Sequence, residues 1–205
     1  MHQTRSELNK KLPLTRKGTK YVARALRNNS NSVPLVIALR DMLKLAETSK
    51  EVKSMIHNKA IKVNGKVAKD INDPVGLFNI LGADKNYILT ILPTGRFAFE
   101  ETKETDRKLK VTGKRKVKKG DVQYSLHDGT NIISEKKFSV GDTLILSPEN
   151  KVKKHLSFEK GSDAFIFSGS NVGKTAKVQN VSGSKITVKL DKGEVVLDNA
   201  QLIAI

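Results

Sequence analysis

Cysteine is absent from the 205 residues, which excludes disulfides, thiolate metal sites and a cysteine nucleophile. Histidine is sparse. His2, His57, His127 and His155 stand far apart and show no metal-ligand spacing. No apolar run approaches the ~20 residues that span a bilayer. The start of the chain, MHQTRSELNKKL, lacks the apolar centre of a secretory signal. The expected compartment is therefore the cytoplasm, with no membrane partner. Carboxylates alternate with lysines instead of clustering, and no serine sits in a nucleophile elbow. These absences point away from an enzyme. No cofactor, metal or small-molecule substrate is expected.

What is abundant is positive charge. Lysine and arginine number 38 against 21 acidic residues, a net charge of +17. Small soluble domains usually carry a magnitude of about 2–8. The excess calls for a polyanion, nucleic acid or an anionic membrane surface, and for binding that weakens with salt. At this length the chain suits two or three small modules, and a hydrophobic content of 38% allows small cores.

The charge is densest at the start: residues 1–32 hold 8 basic residues and 1 acidic. LTRKGTKYVARALRNNSNS reads as an extended basic arm with a short helical turn near Val22–Arg27. Such arms are loose alone and order on a phosphate surface. Arg5, Lys10, Lys11, Arg16, Lys17, Lys20, Arg24 and Arg27 are its candidate contacts.

Residues 35–47, LVIALRDMLKLAE, carry a helical period. Val36, Leu39, Leu43 and Ala46 share one face; Arg40, Asp41, Lys44 and Glu47 share the other. Pro34 suits the first turn. Thr48 and Glu51 fit a capping box for a second helix, along which Val52, Met55, Ile56 and Ala60 recur. Lys53 and His57, four apart on its outer side, read as solvated. The strand Ile61–Val63 then meets Asn64-Gly65, a tight-hairpin dipeptide. A two-residue turn pairs Val63 with Lys66, and a longer one pairs Val63 with Val67. Both registers stay open.

Two short helices followed by I-K-V-N-G-K-V resemble the alpha-L RNA-binding module. The wider stretch from Pro34 to Leu81, PLVIALRDMLKLAETSKEVKSMIHNKAIKVNGKVAKDINDPVGLFNIL, resembles the fourth small-subunit ribosomal protein of the archaeal and eukaryotic type. The resemblance covers residues 34–205 in order and spacing, although the N-terminal segment lacks that family's tryptophan-bearing stretch. It implies a β-rich middle and a C-terminal KOW-type barrel. By matching position it implies phosphate contacts at Lys50, Lys53, Lys59, Lys62, Lys66 and Lys69. Such a row would read backbone shape more than sequence.

From Tyr87 the period changes to two. YILTIL, RFAFE, DVQYSL, TNII and DTLIL are short runs separated by turn residues, the pattern of an all-β unit. Between them, lysine or arginine fills more than half of KLKVTGKRKVKKG, Lys108 to Gly120. As a strand pair with a loop it would present Lys114, Arg115, Lys116, Lys118 and Lys119 along an exposed edge. Nucleic-acid contact is the favoured reading, beside edge protection by lysine and a nuclear-localisation signal.

After Leu156, alternating runs at 164–167, 175–181, 185–190 and 194–197 and a final apolar stretch suit a small barrel. The segment Gly161 to Val178 resembles a KOW motif, although Ala176 replaces its later glycine. The resemblance implies RNA or protein contacts at Ser170, Asn171, Lys174 and Lys177. GSNVGKT also ends like a phosphate-binding loop, but Ser168 holds the place of its first glycine, and TAKVQNV predicts a strand where that loop needs a helix.

The chain is thus read as α+β: a basic arm over 1–32, an alpha-L module over 33–82, a central β domain over 83–155 and a KOW-like, SH3-like barrel over 156–205. The expected function is a structural constituent of the small ribosomal subunit, with ribosomal RNA and neighbouring ribosomal proteins as partners. The alternatives are a transient RNA-processing or transcription factor and, further off, a nucleotide hydrolase using Lys174.

Overall fold

In the computed structural model, which describes residues 2–27, 30–117, 121–183, 185–190 and 193–205, the chain forms two compact units, Met1–Arg107 and Lys108–Ile205. The described residues are mostly β-strand, with helical stretches at residues 35–42 and at Ser49–His57 and short 3-10 turns, an α+β protein.

The first unit is centred on LVIAL. Leu35, Val36, Ile37, Ala38 and Leu39 are all buried, because five successive apolar side chains cannot share one helical face. Helix α1, Leu35–Ile37, and the π turn Ala38–Met42 that continues it therefore run through the core. This corrects the expected one-sided helix over 35–47. The Leu43 N–H donates to the Ala38 carbonyl, one residue beyond α spacing, and Lys44 adopts a left-handed φ of 56°. The chain leaves the helix there, and Ala46 returns to the core. Helix α2, Ser49–His57, starts as expected. The Thr48 hydroxyl accepts from the Glu51 N–H, while the Glu51 carboxylate accepts from the Thr48 hydroxyl and the Glu47 N–H. Val52 is fully buried beneath it.

The hairpin Lys62–Val63 and Lys66–Val67 takes the two-residue turn, pairing Lys62 with Val67 and Val63 with Lys66. Asn64 and Gly65 hold φ of 54° and 78°, as the tight turn demands. The Asn64 side-chain oxygen also accepts from the Ile80 N–H at 3.0 Å, and its own N–H donates to the Ile80 carbonyl at 2.8 Å. The turn is thereby fastened to the strand Ile80–Gly82. One antiparallel sheet runs in the order Lys66–Val67, Lys62–Val63, Ile80–Gly82, Asn86–Ile91, Phe97–Thr102. It crosses the sequence division drawn between 82 and 83.

The N-terminal segment is folded, which corrects the extended arm. His2–Thr4 pairs antiparallel with Tyr21–Ala23, a strand where a helical turn was expected. Gln3, Leu12, Val22 and Ala25 are buried. These few well-spaced apolar residues suffice because Ser32–Pro34 pairs with Pro74–Gly76 and ties the segment to the module.

The second unit holds two five-stranded sheets. One runs Asn131–Ser134, Val122–Leu126, Arg107–Lys116, Thr143–Leu146, Val152–Leu156 around a core that includes Leu109, Val111, Tyr124, Leu144 and Leu146. The other is antiparallel and runs Gly193–Asp198, Lys185–Leu190, Thr175–Ser182, Asp163–Ile166, Leu202–Ala204 around Ile166, Val178, Ile186, Val188 and Leu202. A strand begins at Thr175, directly after the GK pair, so no helix is there to cradle a phosphate.

Candidate nucleic-acid interface

An open groove of about 820 Å³ lies between α2 and the segment following the hairpin turn. Lys53, His57, Lys59 and Lys69 line it, over a floor of Ile56, Val67, Ala68 and Ile71. Lys53 and His57 stand one turn apart on the outer face of α2, so the pair read as merely solvated faces the groove. Lys59 closes the C-terminal end of that helix at φ 56°, a position usually given to glycine because a side chain costs about 1 kcal/mol there. Lys69 is held by its backbone: Asp73 Oδ2 accepts from the Lys69 and Asp70 N–H groups, and Asp70 Oδ1 accepts from the Asn72 N–H. Asp70 borders the groove, with one of its carboxylate oxygens engaged in that turn. Lys50 is exposed one turn before Lys53 on α2.

The hairpin lysines divide. Lys62 shares a sheet face with Val67, which lines the groove, whereas Lys66 shares the opposite face with Val63. The expected single row is thus divided: Lys53, Lys59 and Lys69 line the groove, Lys62 stands on the sheet face of Val67, and Lys66 is on the opposite face. None of the six lysines from Lys50 to Lys69 has a hydrogen-bond or ion-pair partner for its ammonium group among the described residues. The apolar residues of the floor alternate with lysines in the sequence, but the alternation alone does not show that they line a groove.

Two cations of the N-terminal segment belong to the fold. The Arg5 guanidinium donates to the Thr15 carbonyl and to the Thr19 carbonyl and hydroxyl. The Lys11 ammonium donates to the Asn31 side chain at 2.9 Å and sits 5.8 Å from the Phe97 ring centroid; burial pushes its pKa down. Lys10, Arg16, Lys17, Lys20, Arg24 and Arg27 remain exposed.

In the second unit, Arg107–Lys116 is one ten-residue strand between two neighbours in its sheet. This corrects the expected exposed edge pair. Leu109 and Val111 alternate into the core and draw the first half of the strand inward. A register shift between Val111 and Gly113 precedes Lys114, Arg115 and Lys116, which pair with Tyr124, Gln123 and Val122 and stay exposed. Lys118 and Lys119 lie outside the described residues. Lys110 is 4% exposed. Its ammonium donates to the Asn199 carbonyl and side chain and to the Leu202 carbonyl, and lies 5.7 Å from the Phe158 ring. Burial lowers its pKa to about 8. The sequence reading missed it, although its place between two inward residues of one strand was the available clue. Lys174 is half-buried and donates to the Asn171 side chain at 3.3 Å, while Lys177 is exposed. Ser170 is exposed.

A model of the S4 domain matches residues 33–79, the helices and hairpin that frame the groove. A model described as ribosomal family S4e matches residues 83–152. The small ribosomal subunit protein eS4 of Archaeoglobus fulgidus is 34% identical over 187 residues, covering 88% of this chain and 80% of that protein. Its counterpart in Methanocaldococcus jannaschii is 36% identical over 185 residues, covering 82% and 76%. The crystal structure of the 30S ribosomal protein S4e from Thermoplasma acidophilum matches with a TM-score of 0.73 at 26% identity, covering 85% of this chain and 95% of that one.

Proposed function

The chain belongs to the S4e family of small-subunit ribosomal proteins, and from that membership we propose how it holds RNA. It is a structural, non-enzymatic constituent of the small ribosomal subunit in the cytoplasm. Its partners are ribosomal RNA and the ribosomal proteins beside it. The alpha-L module over 33–82 is the primary contact. A phosphate backbone follows the groove, with Lys53, Lys59 and Lys69 along its course and Lys50 and Lys62 extending it. Lys66 reaches a second phosphate run from the other hairpin face.

One observation carries this reading: Lys59 keeps a long cationic side chain where glycine is the less strained choice. No described residue pairs with its ammonium group, whereas a phosphate would. The apolar floor holds the cations apart without neutralising them, so they meet RNA already placed. Further contacts come from Arg16, Lys17, Lys20, Arg24 and Arg27 in the N-terminal segment. In the second unit we assign Lys114, Arg115, Lys116, Lys174 and Lys177 to RNA, and the five-stranded sheet after residue 156 to a KOW-type barrel. Most of these contacts neutralise phosphates, so affinity falls steeply with salt.

The test is the double variant Lys53→Glu/Lys59→Glu. At low salt its affinity for small-subunit RNA is expected to drop about 100-fold, and its salt dependence to flatten by about two in slope. Thermal unfolding should stay within about 0.5 kcal/mol of the parent, since both side chains are exposed. Unchanged affinity would remove the groove as the interface. A resident constituent also stays with small-subunit particles in moderate salt, where a transient factor washes off.

A further inference from the structure

The chain has 7 phenylalanines, 3 tyrosines and no tryptophan. Tyr21 is the only one of these aromatic residues that is exposed, at 50%. Its surroundings are specific. The His2 ring meets it edge-on, with centroids 4.8 Å apart, and the Lys20 ammonium lies 5.4 Å from its ring centroid. The strand Tyr21–Ala23 that carries it is paired to His2–Thr4, so the aromatic sits on ordered backbone.

The loop before Tyr21 is ordered from within. Arg5 spans it through bonds from its Nε to the Thr19 carbonyl at 2.7 Å, from its Nη2 to the Thr19 hydroxyl at 3.2 Å and from its Nη1 to the Thr15 carbonyl. The Arg5 N–H also donates to the Lys20 carbonyl. Gly18 closes over this guanidinium at φ 143°, and a Cβ there would lie 2.9 Å from Arg5 Nη2. Arg5 thus fills the loop, leaving Arg16, Lys17 and Lys20 on its outside, bordering a cleft of about 450 Å³.

We propose that Tyr21 is a stacking platform for an unpaired RNA base, with the adjoining phosphate seated by Arg16, Lys17 and Lys20. This rests on the RNA-binding reading above and adds a different kind of contact. The groove grips backbone shape, whereas Tyr21 requires a base that has left its stack. An aromatic face beside cations is what single-stranded RNA binds, with little preference among bases. Because Arg5 and the strand pair fix the loop, little ordering is needed on binding.

The full chain should be titrated with a short oligouridylate and, separately, with a blunt RNA duplex, following tyrosine emission. Tyr87 and Tyr124 are 7% and 1% exposed and the chain lacks tryptophan, so any quenching reports on Tyr21. The single strand is expected to quench emission. Tyr21→Leu should lose about ten-fold in affinity for it while keeping its affinity for the duplex, and Tyr21→Phe should bind like the parent. Absence of quenching, or oligouridylate binding by Tyr21→Leu equal to the parent's, overturns stacking while the groove reading stands. If the unaltered chain binds neither RNA, both fall together.

Discussion

In the groove of the first unit, Lys53, Lys59 and Lys69 hold their charges toward solvent with no partner among the described residues. In the second unit, Lys110 is 4% exposed and donates to oxygens of Asn199 and Leu202. One residue type thus serves as binding surface in one place and as an internal tie in the other. The difference lies in the backbone. Lys53 extends outward from the exposed face of a helix and Lys59 from just past its end. Lys110 alternates with Leu109 and Val111 on a strand where all three are buried. Net charge therefore overstates the RNA-facing surface, because some of it is spent on the fold.

The largest expected effect comes from the buried member of this comparison. The Lys110 pKa is lowered from 10.5 to about 8 by burial. Between those values the unfolded chain binds the proton and the folded chain does not, so folding becomes more favourable as pH rises through that window. Below pH 8 both states are charged and the full penalty is present. We expect the second unit to gain about 2–3 kcal/mol from pH 8 to 10.5 in denaturant unfolding, and Lys110→Met to flatten that rise. An unchanged rise in Lys110→Met would mean another group drives it.

The same contrast marks what could be read from residues alone. The Thr48 and Glu51 cap, the Asn64-Gly65 turn and the runs from Asp163 to the end occupy their expected places, because each depends on local chemistry. The register at Asn64 was not legible. It is fixed by Ile80, sixteen residues away, donating to the Asn64 side chain. The end of the first helix was missed because burial on all sides overrides a one-sided period. The N-terminal segment was misjudged because its ordering rests on non-local contacts: the pairing of His2–Thr4 with Tyr21–Ala23, a few buried apolar residues, and the Arg5 guanidinium bonded across its own loop. For the site, residue types and positions were visible. Which lysines converge was a property of strand faces, and so of register.

Asn64 offers a second way to sharpen the comparison, by loosening the frame instead of the charges. Asn64→Ala forces a Cβ-bearing residue with no compensating side-chain bond to keep φ of 54°, and leaves the Ile80 N–H without its acceptor. A loss of about 2 kcal/mol is expected, with weaker RNA binding because the groove edge shifts. Asn64→Gly tolerates the angle and should lose about half as much. Equal losses would show that the hydrogen bond dominates.

Lys59→Gly separates stability from binding in one substitution. Relief of the left-handed backbone should raise stability by about 0.5–1 kcal/mol, while RNA affinity falls several-fold. If both rise, the left-handed lysine is not a functional compromise.

The smallest effect is the most diagnostic of geometry. Lys62 and Lys66 are four residues apart, equally charged and both exposed, and composition cannot tell them apart. The two-residue turn puts Lys62 on the face of Val67 and Lys66 on the face of Val63. Because Val67 lines the groove, Lys62→Ala should weaken RNA binding by about three- to five-fold, roughly 0.6–1 kcal/mol. Lys66→Ala should change it by less than about two-fold on an RNA confined to the groove. A larger RNA fragment that also reaches the back of the hairpin would restore sensitivity to Lys66 alone. Were the two variants equal on the small fragment, the RNA would have to straddle the hairpin tip at Asn64-Gly65. The groove would then be one wall of the interface instead of its whole course.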